Sequence, residues 1–174
     1  SNLNLNIQRN EISDVYGVEA VYGIVNVQTP TTIQFTGKLI TIPNQDENII
    51  IKNNIIWKLR PTEDNTAVIG ISISTDLDET TNQPIIKDYF TNGDIIANNT
   101  VYIEDYDGIV NNSLMVGVSM SYSTNPQLYN NAIAITDNTI APNTVFNTAV
   151  LYQGLLPRWG QGLVSDRNAF YLTN

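Results

Sequence analysis

Any chemistry in this chain would have to come from carboxylates, because the sequence has no His and no Cys. Without imidazole or thiol there is no Ser-His-Asp or Cys-His nucleophile system, no histidine general base and no His- or Cys-ligated zinc. Gly160-Gln161-Gly162 lacks the strand before it and the Lys after it that a phosphate loop requires. Two acidic groups remain: Asp76, Asp78 and Glu79, and Glu104, Asp105 and Asp107 followed by Gly108. Asp105 and Asp107 alternate ahead of a glycine, as carboxylates do in a calcium loop. The later Glu of an EF-hand is missing, however, so a solvated turn is the expected reading and the pair is only a weak metal candidate. With Tyr102 and Tyr106 beside them, the same acids could form a glycosidase pair only if folding set two carboxyls about 5 to 9.5 Å apart in a cleft. The expectation is a protein that is not an enzyme and carries no cofactor.

The net charge is -9, from 17 acidic and 8 basic residues. Such a surface repels phosphate backbones and lacks the basic clusters that dock on anionic lipid, so neither nucleic acid nor membrane is an expected partner. No stretch approaches the roughly 18 apolar residues of a membrane-spanning helix. The opening Ser1-Asn2-Leu3 reads as the start of a leaderless cytoplasmic product.

Bulk comes mainly from Ile, Val and Thr, with nine Tyr, side chains that suit a pleated surface. Residues 2–8 alternate apolar and polar, as do 32–42 and 114–122, the period of a half-buried strand. Further strand-like runs cover 18–28, 49–51, 55–59, 67–74, 101–103, 132–136 and 144–152, separated by polar turns. Helix is confined to at most a single turn near 85–90 or 126–130. The 24 Asn fit many strand ends, since Asn tolerates left-handed backbone, although AT-rich codon usage would produce the same excess. Because no fixed period survives shifting the sequence against itself, a parallel β-helix ranks below a jelly-roll-like antiparallel β-sandwich with extended N- and C-terminal arms. The expected division is an N-terminal strand or arm (1–17), the sandwich (18–152) and a C-terminal arm (153–174).

That last segment breaks regular structure with three Gly and a Pro, yet it carries Leu155, Leu156, Trp159, Phe170, Tyr171 and two of the four Arg. Large anchors on an irregular segment suit docking to a partner. The expected contacts are Arg158, Trp159, Arg167, Phe170 and Tyr171 at this end, with Leu3, Leu5 and Ile7 at the other.

A Cys-free, His-free β-chain with an alternating start (2–8) and an aromatic, Gly-containing end (155–172) resembles virion proteins of tailed bacteriophages. Within that class, its acidity and adhesive ends are similar to capsid cement or decoration proteins. The resemblance implies a place on the outer capsid surface, stabilising the shell by bridging neighbouring subunits. The implied partners are the major capsid protein or other virion subunits, in a homo-oligomer or larger assembly. The alternative is a tail, fibre or receptor-binding module that recognises glycan through loops such as 75–84, since Tyr and Asn also line carbohydrate-binding faces.

Overall fold

In a computed structural model of the chain, parallel strands stack into a solenoid. The structure describes residues 4–18, 20–28, 31–35, 38–42, 48–63, 66–75, 91–104, 114–121, 123–136, 146–153 and 162–173. The first rung is β1 (Asn6–Gln8), β2 (Glu11–Gly17) and β3 (Ala20–Gln28). A side hairpin follows, β4 (Thr31–Phe35) and β5 (Lys38–Ile42), the one antiparallel pair among the described residues. The second rung is β6 (Ile50–Lys52), β7 (Ile55–Pro61) and β8 (Ala67–Thr75). After the short β9 (Thr91–Asn92) comes the third: β10 (Ile95–Ala97), β11 (Thr100–Glu104) and β12 (Leu114–Ser121). After β13 (Ser123–Thr124) comes the fourth: β14 (Gln127–Tyr129), β15 (Ala132–Thr136) and β16 (Phe146–Gln153). The fifth consists of β17 (Val164–Asp166) and β18 (Ala169–Thr173).

Corresponding strands form three parallel sheets. The first is β1-β6-β10-β14-β17, the second β2-β7-β11-β15-β18 and the third β3-β8-β12-β16. This overturns the expected antiparallel sandwich. The end segments also differ from expectation, since their described parts supply β1, β2, β17 and β18 as rungs of the same stack. The expected single strand over 32–42 is the β4–β5 hairpin, and 127–129 is strand, not a helical turn. Alternation reports which face of a strand is buried, but not which strand lies beside it or in which direction. That is where the sequence reading failed.

Like side chains stack across rungs. Ile7, Ile51, Ile96 and Leu128 align in the first sheet. In the second, Ile12, Ile56, Val101, Ile133 and Phe170 form one inward row, and Val15, Leu59, Ile103, Ile135 and Leu172 another. Inner members of these rows are fully buried, so each rung covers the apolar surface its neighbour leaves open.

The corner between the first and second sheets is held by asparagine. Asn10, Asn54, Asn99, Asn131 and Asn168 form a ladder in which each Nδ2 donates to the next rung's Oδ1 at 2.9–3.0 Å. Each Oδ1 from Asn54 onward also accepts the backbone N–H of the preceding ladder Asn at 2.9–3.0 Å. The Nδ2 groups of Asn54, Asn99, Asn131 and Asn168 donate in addition to the carbonyls of Ile7, Ile51, Ile96 and Leu128. The residue before each ladder Asn, namely Arg9, Asn53, Asn98, Asn130 and Arg167, has φ between 50° and 59°. A second set of positive-φ residues, Asn4, Asn48, Gly93, Asn125 and Gly162, precedes each strand of the first sheet by two residues. Six of the ten positive-φ non-glycine residues among those described are Asn. Left-handed corners and the ladder therefore give the Asn excess a structural use.

The second and third sheets close on each other over glycine. A Cβ at Gly70 would lie 2.3 Å from Val101 Cγ1, and one at Gly117 would lie 2.2 Å from Ile133 Cγ2. At Gly70 and Gly117 a side chain of any size would force the sheets apart.

Tyr152 contributes a pH dependence. Its hydroxyl donates to the Ser123 carbonyl at 2.5 Å, and burial pushes its pKa above the ordinary value of 10.0. In the unfolded chain the phenol ionises near that ordinary value, while the folded chain holds the proton to higher pH. Stability from this group is therefore complete below about pH 10 and is lost as pH rises beyond it. Urea midpoints measured from about pH 8 to about pH 11 should fall less steeply at the alkaline end in Tyr152→Phe than in the parent. Parallel curves would refute the assignment.

Candidate binding face

Three outward-facing rows cross the second sheet. Glu11, Ile55, Thr100, Ala132 and Ala169 share the first register row. In the next, Ser13 pairs with Trp57, and Tyr102 aligns with Ala134 and Tyr171. Beyond these lie Tyr16, Arg60, Glu104, Thr136 and Thr173, with Arg60 Nη2 3.8 Å from Glu104 Oε2.

The face changes character along the solenoid. On the first two rungs Asp14 and Lys58 adopt positive φ (56° and 54°) within β2 and β7, and the register shifts where β7 meets β11. Such a bulge re-aims the side chains at it. Here Lys58 Nζ comes 3.5 Å from Asp14 and 4.3 Å from the centre of the Trp57 ring, while Trp57 Nε1 donates to Glu11 at 3.2 Å. The group sets one cation, Lys58, against two carboxylates, Asp14 and Glu11.

On the last three rungs the surface opens into a trough of about 380 Å³. Tyr102 and Tyr171 stand two rungs apart on its lining, with Ala134 between them and Thr100, Ala132 and Ala169 alongside. Tyr102 is steadied by a hydroxyl contact with Thr136 at 3.2 Å. Among the described residues no acidic or basic side chain lines the trough, and its polar groups are hydroxyls and backbone. Comparison with protein families, curated proteins and solved structures found no match. What the face does must therefore be argued from its own chemistry, because fold alone does not specify function.

The expected partner-binding residues are dispersed. Leu5 and Ile7 are half-buried against the core, and Ile7 pairs with Ile51. Arg167 is an exposed corner residue whose Nε lies 3.4 Å from Asp166. Phe170 and Tyr171 sit exposed on β18, Phe170 at the end of an inward row and Tyr171 in the trough. Leu3, Arg158, Trp159, Asp105 and Asp107 lie outside the described residues, as does the 76–84 part of the expected recognition loop. The sequence reading missed Ala132, Ala134 and Ala169, whose smallness shapes the trough. The signal available was their common position one or three residues after a ladder Asn, visible only once the rungs are aligned.

Among the described residues, nine of the ten exposed large apolar side chains belong to the first or last rung. Tyr16, Val18, Tyr22, Val25 and Val27 are at one end, and Val164, Phe170, Tyr171 and Leu172 at the other. Among the described residues the outermost strands of each sheet also have no further strand beside them. Free strand edges and apolar ends are what a solenoid needs to join another surface, and what capping repeats normally prevent.

Proposed function

We propose that the chain is a non-enzymatic structural protein that stabilises a larger assembly by adhesion. In the form its phage resemblance suggests, it is a capsid cement or decoration protein on the outer shell, bridging neighbouring capsid subunits. The observation that carries this reading is the concentration of exposed apolar side chains on the terminal rungs, which would anchor the chain to its partners. A protein that binds assembled shell in preference to free subunits stabilises the shell by mass action. The acidic balance, 17 acids against 8 bases, suits the outside of a particle better than contact with packaged nucleic acid.

The test is co-sedimentation with assembled shells from the protein's own source. Phe170→Asp/Leu172→Asp at one end, and Val25→Lys/Val27→Lys at the other, should each weaken association about tenfold or more. Urea midpoints of the variants separate lost adhesion from lost folding. Full association of both folded variants would overturn the proposal. The tail or receptor-binding alternative is favoured by the trough, and binding to host cells in place of shells would select it.

A further inference from the structure

We propose that the trough over β11, β15 and β18 is a binding site for one ring of a neutral saccharide chain, on the outer face of the second sheet and sharing Phe170 and Tyr171 with the last rung. Rungs repeat about every 4.8 Å, so the backbones carrying Tyr102 and Tyr171 are roughly 9.6 Å apart. A flat six-membered ring held between two aromatic rings needs about 7–8 Å, two carbon–carbon contact distances. The Tyr102 hydroxyl reaches Thr136 on β15, so its ring leans over that strand; the trough of about 380 Å³ beside it takes one such ring, and the methyl of Ala134 leaves its floor clear.

The lining selects what kind of ring. A pyranose has an apolar C–H face, which buries against tyrosine, and a rim of hydroxyls. The polar side chains at the slot are the hydroxyls of Thr100 and Tyr171, each able to donate and accept as a sugar rim requires, and that of Tyr102, which is already bonded to Thr136. Among the described residues no charged side chain lines the slot, and these offer no counter-ion for a uronate, sulfate or phosphate. The net charge of -9 adds repulsion. The nearby cations are engaged too, Lys58 with Asp14 and Arg60 with Glu104. The described lining has no carboxylate to protonate or attack a glycosidic bond, which suits a site that holds the saccharide and leaves it intact.

The experiment is a screen of the whole chain against neutral and acidic oligosaccharides, followed by titration calorimetry on the best neutral ligand. Ala134→Phe is the decisive variant, because it fills the slot from an outward-facing position. It should abolish saccharide binding while the circular dichroism, the urea midpoint and the association with shells stay as in the parent. Tyr102→Ala should weaken binding about tenfold through loss of one stacking wall. The inference is overturned if no neutral oligosaccharide binds, if only acidic glycans or free aromatic compounds bind, or if binding survives in folded Ala134→Phe. Shell association, lost in Val25→Lys/Val27→Lys at the far end and kept in Ala134→Phe, is read separately, so each idea can fail without the other.

Discussion

Asn99→Ala should destabilise the protein by about 3–6 kcal/mol, a large part of the roughly 5–15 kcal/mol that holds an ordinary domain together. Asn99 is 1% exposed, and its side chain satisfies groups on two sides. Its Oδ1 accepts from the backbone N and the Nδ2 of Asn54, and its Nδ2 donates to Ile51 O and Asn131 Oδ1. Truncation leaves two donors of Asn54 unpaired where water does not reach them, at about 1–3 kcal/mol each, and takes one donor from the Ile51 carbonyl, which the β6–β10 ladder still pairs. Asn10, at the exposed end of the ladder, is the internal control. Its Nδ2 partners, Gln8 O and Asn54 Oδ1, are reached more easily by solvent, so Asn10→Ala should cost about 1 kcal/mol. Urea unfolding of the two variants compares them directly. Equal small losses would mean that the ladder decorates the corner without holding it.

Gly117→Ala should cost about 3 kcal/mol or more despite adding a single methyl group. The new Cβ would lie 2.2 Å from Ile133 Cγ2 and 2.7 Å from the Ala149 carbonyl oxygen. Ile133 is buried and β-branched, so it has little rotamer freedom, and the carbonyl belongs to the ladder between β12 and β16. Neither can yield without shifting a sheet. Gly70 faces the same pair of obstacles, Val101 Cγ1 at 2.3 Å and the Gly117 carbonyl at 2.5 Å. The fourth rung carries Ala149 between the paired positions Thr148 and Val150, where the third carries Gly117 between Val116 and Val118. Ala149→Gly should therefore cost only about 0.5–1 kcal/mol, the backbone-entropy penalty of glycine. Thermal or urea unfolding of Gly117→Ala and Ala149→Gly tests the asymmetry. A stable Gly117→Ala would show that the sheets are free to separate.

Both sites explain why strands were legible and their arrangement was not. The alternating run 114–122 marks β12 well, because its inward residues must be apolar whichever strand lies beside them. The strand's neighbours, β8 and β16, are set by how far the chain travels before returning. Ladder Asn positions are 44, 45, 32 and 37 residues apart, so no single shift superimposes the rungs. The repeat survives only as a short pattern: an apolar residue, two others, Asn, one other, an apolar residue. Ile7 to Ile12, Ile51 to Ile56, Ile96 to Val101 and Leu128 to Ile133 follow it, and Ser165 to Phe170 departs only at its first position. In a chain with 24 Asn, five such instances do not stand out until corners are sought.

The candidate site divides in the same way. Phe170 and Tyr171 could be named from their size and their place near the end of the chain. Ala134 could not, because alanine becomes informative only when tyrosines from other rungs stand on either side of it.

Taken alone, the residues determined an all-strand, acidic chain without imidazole or thiol, and so without the usual catalytic groups. These properties follow from side-chain chemistry and from the two-residue period of a strand, both local. Tertiary structure alone decided that the strands run parallel, that asparagine and glycine rows run along the solenoid, and that a trough opens over its last three rungs. Those features depend on which distant segments stack, and uneven loops between rungs erase that information from any short window of sequence.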